Sequence, residues 1–162
     1  MMLDLLEWLE GSGFGRIARE SLYGFQILVA IHILGLILSL GTLLWVDLRM
    51  LGLALPDQPL PTVYRSLSKW FVAGFTIMFL SGAMLFAGFA TSAYENVYFR
   101  IKIALIVLAG INAVAFHALE QRTPEQAARG PSSPRIRLAG FLSILFWGAV
   151  VICGRMMSYT LF

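Results

Sequence analysis

The chain has 162 residues, of which 59% are hydrophobic and 13% charged, and its formal net charge is +3. Soluble domains carry about 25% charged residues, so this composition excludes a soluble fold and predicts one embedded in lipid. The positive charge is too small and too dispersed for a nucleic-acid-binding surface, and it fits loops that lie against anionic lipid.

The first segment, MMLDLLEWLE, predicts a short amphipathic helix, because its acidic residues follow one helical stripe and its leucines the next. We expect this helix to lie in the membrane interface. A docking helix for a partner protein is the alternative interpretation. The acidic composition lacks the basic start of a secretory signal, so no cleavable signal peptide is predicted.

Four apolar runs then follow, each near the roughly 20 residues that a membrane-spanning helix needs. They cover approximately residues 22–46, 70–90, 101–119 and 138–158. Little chain remains outside them, so there is no room for a separate soluble enzyme. We therefore predict one transmembrane domain over residues 1–162, an all-α integral membrane four-helix bundle with an N-terminal amphipathic interfacial helix.

The connections between the runs suggest an orientation. Three prolines predict a helix-free first loop over residues 47–69, and residues 120–137 read as a polar, exposed linker. These two loops hold more of the twelve Lys and Arg residues than the opposite side does. The positive-inside rule therefore predicts a bacterial inner-membrane protein with both termini in the periplasm.

Each span carries a stripe of small residues, which is typical of faces where membrane helices pack together. The stripes of the second and fourth spans are Gly74, Met78, Ser81, Leu85, Gly88 and Gly140, Ser143, Trp147, Gly154. Those of the first and third spans are His32, Gly35, Ser39, Thr42 and Gly110, Ala113, His117. Both histidines of the chain are therefore predicted to face inward.

An ionisable residue inside a membrane helix is a candidate for a functional site. Neutral imidazole binds haem iron and copper well, and two histidines on two helices are the minimum for a b-type haem with two axial imidazoles. Covalent attachment is excluded because Cys153 is the only cysteine. A structural hydrogen bond from His32 to a neighbouring helix is the alternative interpretation.

The depths of the two histidines complicate a shared haem. His32 lies near the centre of its run and His117 well beyond the centre of its own, a mismatch of about 13 Å at 1.5 Å per residue. Three alternatives follow: the third helix continues past Glu120, each histidine has its own site with Met78 or Met84 as second ligand, or only one histidine binds a ligand.

The remaining polar residues have simpler interpretations. Asp47 and Arg49 are expected to anchor a helix end at the interface, and Lys102 and Arg155 to snorkel. Arg155 is also a candidate partner for a haem propionate or a quinone oxygen.

Two further patterns bear on function. Asn112 is a candidate for an interhelical hydrogen bond. A soft copper(I) site built from Cys153, Met156 and Met157 ranks below haem, since adjacent methionines point in different directions on a helix. No nucleophile with an oriented base, phosphate-binding loop or carboxylate pair appears, so an electron-transfer or accessory role is favoured over an independent enzyme.

The segments VAIHILGLILSLGTLLWVDLRMLGL, RIKIALIVLAGINAVAFH and CGRMMSY resemble a family of small bacterial four-helix membrane proteins of unknown function. That family is similar in style to CopD-like and b-type cytochrome bundles. The matching positions are His32, 47–49, Asn112, His117 and 154–155. The resemblance implies that the two histidines and the Gly-Arg pair form one site.

The function expected from these patterns is that of a membrane-embedded b-type haem protein in electron transfer, as a subunit or partner of a larger redox complex. His32 and His117 are the candidate metal ligands, and Arg155 or loop arginines would balance propionate charge. The alternatives are a cofactor-free structural or assembly subunit and a copper-handling protein. The expected partners are the lipid bilayer, other membrane protein subunits and quinone.

Overall fold

The computed structural model describes residues 2–21, 23–119 and 133–160, and within them the chain is helical without any strand. The helices are α1 (Met2–Glu10), α2 (Gly13–Glu20), α3 (Gly24–Leu51), α4 (Leu60–Gly88), α5 (Ala90–Glu95), α6 (Val97–Leu119) and α7 (Pro134–Thr160). Most of the predicted third linker, and any continuation of α6 past Glu120, lies outside the described residues.

Helices α3, α4, α6 and α7 are each long and apolar enough to cross a membrane. This confirms the predicted all-α membrane bundle of four helices. The first loop is shorter than predicted, however, because α3 ends at Leu51 and α4 begins at Leu60. Pro59 and Pro61 lie at the start of α4, where proline is tolerated because the first helical N–H groups have no partner in the helix.

The closest packing in the bundle joins α3 to α4. A Cβ atom at Gly35 would lie 2.7 Å from the Met78 nitrogen, and one at Gly74 would lie 2.5 Å from the Ser39 nitrogen. No side chain fits at either position, so the two backbones touch. The small-residue stripes predicted for the first two spans are confirmed as packing faces.

The stripe predicted for the third span does not face the bundle, and this prediction was wrong. Gly110, Ala113 and His117 are exposed, and among the described residues nothing lies within 4 Å of a Cβ built on Gly110. The buried face of α6 instead contains Ala109, which is 5% exposed, and Asn112.

The physical reason lies in the contacts that this other face makes. Asn112 Nδ2 donates to the Ala139 carbonyl of α7 at 2.9 Å, which confirms the expected interhelical hydrogen bond. Phe116 packs against an apolar cluster between α3, α4 and α7, which consists of Val46, Met50, Val63 and Ile136. A satisfied amide and a partly buried aromatic ring stabilise this orientation of α6 more than a stripe of small residues would.

The amphipathic N-terminal segment forms α1, and together with the following helix α2 it covers one end of the bundle. A Cβ at Gly88 would lie 2.8 Å from the Ala18 Cβ atom, so α2 crosses the end of α4 at close range. Glu10 Oε1 accepts a hydrogen bond of 2.7 Å from the Thr91 N–H at the start of α5. The covered end is the one where α3 begins, about 12 Å along α3 from His32.

Candidate functional site

His32 lies on the face of α3 that packs against α4. Its Nδ1 atom is 2.9 Å from the Met78 carbonyl oxygen and 3.1 Å from Ser81 Oγ. A carbonyl oxygen can only accept, so Nδ1 carries the proton in the hydrogen bond to Met78. In a neutral imidazole Nε2 is then left unprotonated, with a free lone pair.

Close packing against α4 also holds the His32 ring in place. A Cβ atom at Gly82 would lie 3.0 Å from His32 Cε1, so the imidazole rests directly on the α4 backbone. Ser81 is 4% exposed, and its hydroxyl donates to the Ile77 carbonyl at 2.6 Å. The imidazole is therefore fixed in both tautomer and orientation, as histidines that bind metals usually are.

Lys102 of α6 lies at the same end of the bundle and is partly buried, and its predicted snorkelling stays a prediction. Its Nζ atom lies 3.7 Å from where a Cβ of Gly154 would stand, beside the backbone of α7. Lys102 lies on the same face of α6 as Ala109 and Asn112, and that face is turned inward for the reasons given above.

His117 lies at the opposite end of the bundle. It is exposed, its Nδ1 is 2.8 Å from the Ala113 carbonyl of its own helix, and its ring centroid is 5.8 Å from that of Tyr64. Its neighbour Phe116 packs beside Val46 of α3. At about 1.5 Å per residue, Val46 lies about 20 Å along α3 from His32, so the structure does not bring the two histidines together.

Arg155 lies at the His32 end, but on the outside. Its guanidinium is 4.7 Å from the centre of the Tyr159 ring and donates to the Tyr159 hydroxyl at 3.0 Å. Both side chains are exposed. This geometry fits the snorkelling interpretation, and it leaves Arg155 without a described contact to His32 or His117.

Of the two candidate methionine ligands, Met78 makes its described sulphur contact away from His32. Its sulphur accepts a contact of 3.9 Å from Ser39 Oγ. Ser39 lies two helical turns, about 10 Å, along α3 from His32. Met84 is partly buried on α4 and stays a sequence prediction.

Asp47 is a buried residue that the sequence interpretation placed at the interface. It is 3% exposed and lies beside Ser143 of α7. Arg49, the other predicted anchor, donates from its Nε to the Gln58 carbonyl at 2.6 Å. Within the described ranges no group of three or more His, Cys, Asp or Glu residues could hold a metal ion.

The sequence interpretation thus found His32 but missed Ser81 and Gly82 as its supports, and it missed that Lys102 is partly buried at the same end. The sequence shows that Lys102 shares a helical face with Ala109 and Asn112, which lie seven and ten residues after it. It does not show that this face, rather than the neighbouring Gly110 face, turns inward.

Comparison with known proteins gives a family but no activity. No curated protein and no solved structure matches the chain. A family model described as a family of unknown function, DUF6644, matches residues 5–160. The match spans all of the helices that could cross a membrane, and the chain therefore belongs to this family of unknown function, DUF6644.

Proposed function

We propose that this chain is a membrane-embedded b-type haem protein in which His32 is the axial ligand. Its role would be electron transfer, as a subunit or partner of a larger redox complex. One observation carries the proposal: Nδ1 of His32 donates to the Met78 carbonyl, which leaves the lone pair of Nε2 available. The likeness of the sequence to CopD-like and b-type cytochrome bundles adds support.

The described residues offer one axial imidazole, that of His32, and not the pair of histidines expected from the sequence. His117 is exposed and about 20 Å away along the bundle, so we do not assign it to the same haem. Bound haem supplies one-electron redox chemistry. The contribution of this chain is to fix the imidazole through Met78, Ser81 and Gly82, so that little reorganisation accompanies ligand binding.

The proposed location is the bacterial inner membrane with both termini in the periplasm. The support is the larger number of Lys and Arg residues in the two loops on the other side. The site then lies towards the periplasm, beneath α1 and α2. Electrons would pass to other membrane subunits or to quinone, which reach the exposed apolar faces of the helices through the bilayer.

The test is an optical spectrum of the detergent-purified protein, before and after reduction with dithionite. The wild-type protein should show a Soret band that shifts and an α band that sharpens on reduction. His32→Ala should lose this spectrum, whereas His117→Ala, the matched control at the other end, should retain it. Imidazole added to His32→Gly should restore part of the haem binding.

Two outcomes contradict the proposal. If the folded wild-type protein stays colourless after incubation with haem, haem is not its cofactor. Loss of the spectrum in His117→Ala but not in His32→Ala would move the ligand to the other end of the bundle.

A cofactor-free assembly subunit is the second candidate. A specific observation favours it, because the bonds from His32 to Met78 and Ser81 already join α3 to α4 without any ligand. In that case the protein should be colourless and co-purify with a larger membrane complex. His32→Ala should then lower the free energy of unfolding without any spectral change.

Copper handling is the third candidate, on the soft ligands Cys153, Met156 and Met157. Metal analysis of the purified protein separates it from the other two. Copper that is bound in the wild-type protein and lost in Cys153→Ser would support it.

A further inference from the structure

A polar cleft opens at the end of the bundle where α5 meets α6 and α7. It has a volume of about 480 Å³ and is lined by Ser92, Glu95, Asn96, Val97, Tyr98 and Thr160. The span in α6 begins at Val97, and the span in α7 ends at Thr160. The cleft therefore lies at the level where lipid headgroups surround the ends of the helices.

Asn96 fixes one wall of the cleft. Its Nδ2 atom donates to Thr160 Oγ1 at 2.7 Å, which joins the start of α6 to the end of α7. Its Oδ1 atom accepts from the N–H groups of Tyr98 and Phe99 at 2.9 and 3.3 Å. Because these N–H groups at the start of α6 are bonded within the protein, they do not form an anion site.

The other polar groups of the cleft favour a cation. Glu95 contributes a carboxylate that has no hydrogen bond or ion pair among the described residues. Ser92, Tyr98 and Thr160 add hydroxyl oxygens that are able to accept hydrogen bonds. No described lysine or arginine lines the cleft. One carboxylate and several hydroxyl oxygens match a ligand with one positive charge.

The size of the cleft and the kind of acceptor define the cation further. The volume falls within the range of about 300–1,000 Å³ that small-molecule sites have, which is far more than a single ion fills. Carboxylate and hydroxyl oxygens accept hydrogen bonds, which a primary ammonium donates and a quaternary ammonium does not. At a bilayer surface, the primary ammonium of this kind is that of phosphatidylethanolamine.

A partner for the phosphate of the same headgroup lies one turn further along α6. Arg100 follows Val97 by three residues, about 4.5 Å along the helix axis and towards the membrane interior. Its guanidinium is exposed and lies 5.6 Å from the centre of the Tyr94 ring. The negative charge of Glu95 thus comes before the positive charge of Arg100 on the way into the bilayer. A phosphatidylethanolamine headgroup has the complementary order, since its ammonium is the terminal group and its phosphate joins the glycerol.

We infer that this cleft binds the headgroup of phosphatidylethanolamine, with the ammonium on Glu95 and the phosphate towards Arg100. The inference uses no residue of the His32 site and does not depend on the proposed function.

The test is lipid binding to the full-length, detergent-purified protein, measured by native mass spectrometry. The probes are phosphatidylethanolamine and phosphatidylcholine with identical acyl chains, so that only the ammonium group differs. The variants are Glu95→Gln and the matched control Glu7→Gln, since Glu7 is an acid of α1 that is exposed as Glu95 is. Both changes are expected to keep the fold, which circular dichroism checks.

The wild-type protein should bind phosphatidylethanolamine about two- to fivefold more tightly than phosphatidylcholine, as expected for one exposed ion pair. Glu95→Gln should lose this preference, because its amide carries no charge, and Glu7→Gln should keep it. Arg100→Gln should weaken the binding of both lipids alike, since both have a phosphate.

Two results overturn the inference. One is a wild-type protein without a preference between the two lipids, and the other is a preference that Glu95→Gln keeps. Free ethanolamine distinguishes the sources of the ammonium group. It should not displace the lipid at equal concentration, because it lacks the phosphate and the acyl chains. If it does, the ligand of the cleft is a soluble amine and the lipid assignment is wrong.

Discussion

The two ends of this bundle each contain one histidine, and they use it differently. At one end His32 is partly buried and bonded to the neighbouring helix. At the other end His117 is exposed and bonded to the carbonyl of Ala113 in its own helix. The same side chain is thus built into the interior in one case and lies on the surface in the other.

The difference shows that a polar residue in an apolar run indicates a function only when its depth in the bundle and its helical face are known. His117 lies in the last turn of α6, where a polar side chain reaches the interface at little cost and meets the negative end of the helix dipole. His32 lies within its helix and needs a partner, which the Met78 carbonyl provides. A functional assignment is therefore supported for His32 and loses its motivation for His117.

The largest effect is expected from Gly74→Ala, which would break the packing that brings His32 onto α4. The added Cβ would lie 2.5 Å from the Ser39 backbone nitrogen, so the helices must separate. We expect a loss of about 2–3 kcal/mol in the free energy of unfolding. The measurement is SDS titration in mixed micelles, followed by circular dichroism.

The control is Gly148→Ala on α7, where no described atom lies within 4 Å of the added Cβ. It should leave the unfolding free energy unchanged or raise it slightly, because alanine favours the helix. If both variants behave alike, the close contact between α3 and α4 is not present in solution.

A direct comparison of the ends comes from His32→Ala and His117→Ala in protein without haem. His32→Ala removes an interhelical hydrogen bond and leaves a gap against Gly82, and we expect a cost of about 1–2 kcal/mol. His117→Ala should cost less than about 0.5 kcal/mol, as is usual for exposed positions. The same titration measures the loss in unfolding free energy for both variants. Equal losses would contradict the structural difference between the two ends.

The helical cover over the His32 end is tested by Glu10→Ala. The Glu10 carboxylate accepts from the Thr91 N–H at 2.7 Å, and its loss should cost about 1 kcal/mol and loosen α1. Limited proteolysis should then cut α1 several-fold faster. Glu7→Ala is the control, since Glu7 is exposed on the same helix. Equal cleavage of the two variants would mean that Glu10 does not hold the cover.

A small effect is expected from Asn112→Ala, which tests how α6 is held near the His117 end. Interhelical hydrogen bonds in membranes are worth about 0.6 kcal/mol on average, and the bond to the Ala139 carbonyl is of this kind. Asn112→Ala should therefore cost more than His117→Ala in the same titration. The reverse order would indicate that His117 contributes more than Asn112 to holding α6 in the bundle.

Much of the fold follows from the sequence, because a membrane imposes strong rules on length and composition. Four runs of apolar residues suffice to predict the helices that could span it, and the glycines of the first two predict where α3 and α4 touch. The helix ends were less predictable. Proline in the first loop was read as a helix breaker, although at Pro59 and Pro61 it begins α4.

The amino-acid sequence by itself determined the four spans, the depth of His32 and His117 along them, and the interhelical role of Asn112. Tertiary structure decided which face of α6 turns inward, and so placed Lys102 inside and His117 outside. The physical reason is that the Gly110, Ala113 and His117 stripe and the neighbouring face of Ala109, Asn112 and Phe116 follow the same helical period, so the period alone selects neither. Only the contacts of Asn112 and Phe116 with the other helices select one face.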